Sequence, residues 1–87
     1  MVTVRLFGGV SLPVGTQVLV IDVAPGTAVG ELLRLLEERL DAPGLREKIS
    51  EHCLVAVDGT EIGHLAGMAT TVGPDTIVSV VPAMVGG

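Results

Sequence analysis

Aromatic residues are almost absent from this 87-residue chain: it has no Trp and no Tyr, and Phe7 is its single Phe. A core without rings must be built from aliphatic side chains. The same lack removes the stacking platform on which single-stranded nucleic acids are held. Positive charge is also scarce. Lys and Arg total 5 against 10 Asp and Glu, a net charge of −5. Such a surface repels a phosphate backbone, so nucleic acid is not expected as a partner. Cys53 is the one cysteine. That excludes an internal disulfide and a multi-cysteine metal or iron–sulfur site. His52 and His64 are too few for a zinc set, so neither a metal nor a bound cofactor is expected. No signal peptide opens the sequence. No apolar stretch approaches the roughly 20 residues that span a bilayer. The expected address is the cytoplasm, with no membrane partner.

What remains is aliphatic. Hydrophobic residues make up 48% of the chain, and its mean hydropathy is +0.68. The length suits one domain, and a domain of this scale buries only roughly 60% of its unfolded surface. The composition points to more apolar surface than one core hides, and so to a docking face. A compact core with scattered exposed Val and Ala would give the same composition.

Val2, Val4 and Leu6 alternate with Thr3 and Arg5, which predicts a strand at the start of the chain. Gly8-Gly9 and Pro13-Val14-Gly15 mark a loop. Gln17–Val23 predicts a second strand, with Leu19, Ile21 and Val23 on one face. An antiparallel hairpin is the economical pairing. Thr27 is the expected N-cap of a helix, along which Val29, Leu32, Leu33, Leu36 and Leu40 form one stripe. Arg34 and Glu38 are four apart on its solvated face, and Pro43-Gly44 ends it. The stripe reads as core. Residues 45–51 are charged and ambiguous, with a short helical turn as one reading. Cys53–Val57 predicts a third strand, in which Cys53 reads as a buried structural thiol. Asp58-Gly59 is a hairpin turn, with Thr60–Ile62 a short return strand. Residues 63–71 read as irregular, and Gly73-Pro74-Asp75 as a turn. Thr76–Val81 predicts a last, buried strand, ended by Pro82.

This order gives a two-layer α+β domain, a helix packed on one face of a mixed sheet. With the last strand placed beside the first in mid-sheet, the arrangement is a β-grasp of four to five strands on one main helix. The expected division is a domain over residues 1–82 and a flexible tail over residues 83–87. No nucleophile–base pair, phosphate loop or metal set is evident, so an independent enzyme is not expected.

The tail reads Ala83-Met84-Val85-Gly86-Gly87. Six residues beyond Val81 could extend about 20 Å, at roughly 3.3–3.6 Å per residue, enough to enter a neighbouring active site. Glycines pass a narrow channel because they lack Cβ, and they leave the terminal carbonyl unhindered. A terminal carboxyl, with a pKa of about 3.3–3.7, is ionised and nucleophilic towards ATP. Activation to an acyl-adenylate would let a persulfide displace AMP and leave a thiocarboxylate. In a chain with 12 glycines, a terminal pair can also arise by chance, so it gains weight only from the domain that precedes it.

Nearly the whole chain resembles the MoaD/ThiS family of ubiquitin-like β-grasp sulfur carriers. The segment from Val23-Ala24-Pro25-Gly26-Thr27 to Leu33 resembles the family's strand-to-helix entry. Val55–Ile62 resembles its hairpin, although Asn is usual where Asp58 stands. Val72–Gly87 resembles its C-terminal signature, with Gly73-Pro74-Asp75 in place of the usual Asp-Gly-Asp. The resemblance implies that Gly87 is adenylated by a ubiquitin-activating-like adenylyltransferase that uses ATP. The adenylate is then converted to a thiocarboxylate by a persulfide sulfur donor and consumed by a sulfur-accepting synthase. It implies that Met84, Val85 and Gly86 thread the partner's active site, and that Phe7, Pro82 and Ala83 belong to a docking surface. Molybdopterin-type carriers usually have an Arg-Glu segment where this chain has Gly8–Pro13. Residues 64–70 and 82–87 are similar to cysteine-type carriers, and both branches stay open. A ubiquitin-like modifier conjugated through Gly87, or a non-covalent interaction module, is the alternative.

Overall fold

The computed structural model describes residues 1–8 and 15–83. Its main sheet has five strands in the order β2-β1-β7-β4-β5. These are β1 (Val2–Leu6), β2 (Gln17–Ile21), β4 (Cys53–Val57), β5 (Thr60–Glu61) and β7 (Ile77–Pro82). β7 runs parallel to β1, with Val4 opposite Val78 and Leu6 opposite Val80. It runs antiparallel to β4, with Val55 opposite Val80 and Leu54 opposite Val81. This is the mixed β-grasp sheet expected from the sequence, with the last strand at its centre.

Two helices cover one face. α1 (Val29–Arg39) buries Val29, Leu32, Leu33 and Leu36 of the predicted stripe; it ends before Pro43-Gly44, so the fifth member, Leu40, is its C-cap and only partly buried. α2 (Leu45–His52) is a full eight-residue helix where the sequence was ambiguous, and it buries Leu45 and Ile49. Those two residues sit four apart, one above the other on a helix face. They join the α1 stripe and Val2, Val4, Leu6, Val55, Val78 and Val80 in one core. Gly44 starts α2 at φ 84°, a left-handed conformation that glycine adopts without a Cβ penalty.

The helix start differs from expectation. Thr27 does not cap α1: the N-cap position is Ala28, without a side-chain bond. The Thr27 hydroxyl instead donates back to the Ala24 carbonyl at 2.6 Å. Its backbone joins a second, two-stranded sheet, β3 (Thr27–Ala28) against β6 (Thr71–Val72). The Val29 amide is satisfied by the Thr70 carbonyl at 2.7 Å, so the far chain does the work of a cap. Residues 63–71, expected to be irregular, carry most of two short 3₁₀ turns, Ile62–His64 and Gly67–Ala69, and most of this contact. Asp58 and Gly59 both take positive φ, 48° and 87°, as a type I′ hairpin requires. β2 ends at Ile21 rather than Val23, β5 ends at Glu61 rather than Ile62, and β7 includes Pro82 rather than stopping before it.

Candidate functional site

β7 delivers the end of the chain. It lies between β1 and β4, so its backbone is paired on both sides along most of its length. Pairing continues past Pro82: the Ala83 amide donates to the His52 carbonyl at 2.8 Å. Ala83, the last described residue, is therefore still bonded to the sheet, beside the end of α2. Met84, Val85, Gly86 and Gly87 lie outside the described residues.

Alternation along the strands sorts side chains onto two faces. Val78 and Val80 point into the core, whereas Ile77, Ser79 and Val81 point to the face that no helix covers. β7 is central but not buried on both faces, as its sequence suggested: Ile77 is 42% exposed. The uncovered face also carries Leu54 and Ala56 from β4, Thr3 and Arg5 from β1, and Val18 and Val20 from β2. Leu54 is half exposed, as are Val18 and Val20. These side chains make the uncovered face partly apolar.

Phe7 belongs to it. Its amide donates to the Val80 carbonyl at 3.0 Å, one step beyond the end of β1. That register sets Phe7 beside Val81, which stands opposite Leu54. The three form an apolar row at the end of the sheet where the tail departs. The Arg5 guanidinium carbon lies 5.6 Å from the Phe7 ring centroid, a cation–π contact. Pro82, half-buried opposite Cys53, has the parity of Val78 and Val80 and so faces the helices. Of the expected docking residues, Phe7 lies on the open face, Pro82 on the other side of the sheet, and Ala83 at the exit. Leu54, Ile77 and Val81 lie on the same open face and were not singled out in the sequence. The period of two in Ile77–Val81, applied strictly, would have separated them from Val78 and Val80.

Among the described residues, the titratable groups do not converge on a reaction centre. Cys53 packs against the core, and burial pushes its thiol pKa up, away from the thiolate that nucleophilic chemistry needs. Among the described residues, no group of three or more His, Cys, Asp or Glu side chains is placed to hold a metal. No helix of the described residues is long and apolar enough to cross a membrane.

A family model described as the ThiS family matches residues 4–87, nearly the whole sequence and the tail with it. The chain belongs to the ThiS family. Membership fits a small carrier or modifier protein built on the β-grasp fold. A relative, small archaeal modifier protein 3 of Haloferax volcanii, is 35% identical over 89 aligned positions, covering 95% of each chain. The solution structure of the Haloferax volcanii HVO 2177 protein superposes with a TM-score of 0.76 at 34% identity, over 99% of this chain and 85% of that one. A second solved structure is a complex of subunits 1 and 2 of the molybdopterin-converting factor of Helicobacter pylori. It matches with a TM-score of 0.59 at 22% identity, over 99% of this ThiS-family chain and 97% of that one. At that identity the likeness supports the fold alone.

Proposed function

We propose that this ThiS-family chain is a sulfur carrier that reacts through the Gly87 carboxylate. The observation that carries the reading is the course of β7. A strand fixed in mid-sheet carries the chain to Ala83, with four residues, the last two of them glycine, still to come. Those four span about 13 Å when extended, a reach suited to a channel in a partner docked on the Phe7, Leu54 and Val81 row.

The chemistry is supplied by partners. Gly87 carboxylate attacks the α-phosphate of ATP on an adenylyltransferase, and pyrophosphate leaves. The terminal sulfur of a donor persulfide attacks the acyl carbon, and AMP leaves. Reductive cleavage of the S–S bond by a thiol then frees the glycyl thiocarboxylate, which a synthase consumes. Cysteine-type and molybdopterin-type destinations remain equally consistent with the sequence. A cycle that draws on ATP and reduced sulfur suits the cytoplasm. Intact-mass measurement after incubation with ATP, the cognate activating enzyme and a sulfur donor tests the proposal. The expected result is replacement of one oxygen by sulfur at Gly87, and an unchanged mass with an enzyme shown to adenylate the chain overturns it.

A second reading is conjugation to lysine through the same adenylate, and the relative named as a modifier favours it. Covalent adducts on other proteins that vanish when Gly87 is deleted would establish that role. Full pathway function without Gly86-Gly87 would leave a plain binding module.

A further inference from the structure

The two edges of the main sheet are unlike. β5 closes one edge with two residues, Thr60–Glu61, a short end that offers little to pair with. β2 forms the other edge with five residues, Gln17–Ile21, paired to β1 without a bulge. It carries no charge and no proline, the devices that usually protect an edge.

The direction of its backbone groups follows from β1. The amides of Thr3 and Phe7 donate towards β7 and its approach, to the carbonyls of Thr76 and Val80. Groups alternate along a strand, so Val2, Val4 and Leu6 turn theirs to β2. Their partners are Ile21, Leu19 and Gln17. Among the described residues, nothing pairs with the N–H and C=O of Val18 and Val20, which point out of the sheet edge. Their side chains are 65% and 49% exposed on the open face. Beside this edge, on the helix side, runs a groove lined by Ile21, Asp22, Leu35, Glu38 and Arg39.

We propose that β2 is a strand-addition site for an extended, basic segment of a partner protein. Backbone pairing at Val18 and Val20 would supply affinity, and the groove would take alternate side chains. Charge selects the occupant. The groove holds Asp22 and Glu38 against Arg39; Glu38 is shared with Arg34, which also pairs with Glu31, so Asp22 and the −5 carried by the whole chain supply the negative field. A lysine or arginine flanking an apolar strand is complementary to this wall, whereas a second copy of the chain brings like charge to it. The site is separate from the tail, so its failure would leave the carrier chemistry untouched.

The probe is a synthetic eight-residue peptide of alternating Val and Thr with a lysine at each end, added to the full-length chain and followed by amide NMR. The expected result is saturable shifts at residues 17–22, 35, 38 and 39, with slowed exchange of the Val18 and Val20 amides. Exchanging both lysines for glutamate should weaken binding at least about tenfold. Val20→Pro should do the same, since it removes an outward N–H and none of the β1–β2 bonds. Because that variant could misfold, a peptide N-methylated at the amides facing β2 tests the same pairing against the unaltered chain. Unchanged affinity of the methylated peptide, shifts centred on Leu54 and Val81 instead, no saturable binding, or Val18 and Val20 amides already protected by self-association would each overturn the proposal.

Discussion

The Ala83 amide donates to the His52 carbonyl at 2.8 Å, tying the exit of the tail to the end of α2. One backbone bond thus extends the sheet past Pro82, which has no donor of its own. Ala83→Pro removes this bond while leaving the residues that follow unchanged. The expected loss is about 0.5–1.5 kcal/mol, read as a lower urea midpoint at constant slope. Unchanged stability would mean that the tail is not held there.

Asp58 makes two bonds to one residue. Its amide donates to the Ile77 carbonyl at 2.8 Å, and its Oδ1 accepts from the Ile77 amide at 2.9 Å. It does so at φ 48°, a conformation that short polar side chains tolerate best. Asp58→Asn keeps both the acceptor and that tolerance, and should be nearly neutral. Asp58→Val should cost about 2–3 kcal/mol, from the left-handed strain and the lost bond. Thermal or chemical unfolding of the pair decides the matter, and equal stability of the two variants would contradict the assignment.

Leu36 lies in the buried stripe of α1, fully enclosed. Leu36→Ala should destabilise the fold by about 2–5 kcal/mol, through lost burial and the cavity left behind. Loading of whatever fraction stays folded should be unaffected, which separates core from dock.

Phe7 supplies the converse case. Phe7→Ala removes a half-buried ring from the open face and its contact with Arg5. The expected effect is a rise of about tenfold in the carrier concentration needed for half-maximal adenylation, the scale of a truncated interface anchor. Maximal rate and unfolding midpoint should change little. A loss of stability with unchanged loading would return Phe7 to the role of packing residue.

The hydrogen bond from Arg34 holds the Glu31 carboxyl below its ordinary pKa. A depressed folded-state value contributes stability above the unfolded pKa and loses it as pH falls through the folded one. Both side chains are exposed, and screening keeps the contribution small. Arg34→Gln should raise the Glu31 titration midpoint, as followed by carboxyl NMR, with little change in stability at neutral pH.

The legible parts of the sequence were those where one residue type answers one physical demand. Asp58-Gly59 needed two positive φ angles and had them. The α1 stripe needed helical spacing and had it. α2 was obscured because only Leu45 and Ile49 carry its apolar face, among charges that mask the period. Thr27 misled because local cap chemistry cannot reveal that Thr70, far along the chain, supplies the bond to Val29. The β3–β6 pair is too short to show any period. At the candidate site, the Gly86-Gly87 pair on which the proposed chemistry rests was visible in the sequence. The row of Phe7, Val81 and Leu54 was not, since it exists only once three strands are in register.

β7 also has a mechanical meaning. A partner that drew on the tail would load a central strand along its own axis. Its parallel ladder to β1 and its antiparallel ladder to β4 would both resist in shear, many bonds together, rather than unzip one at a time. Traction on the C-terminal end therefore acts on a strand anchored on both sides, and a domain built this way could be drawn from a tight channel without being unravelled by the hand that pulls it.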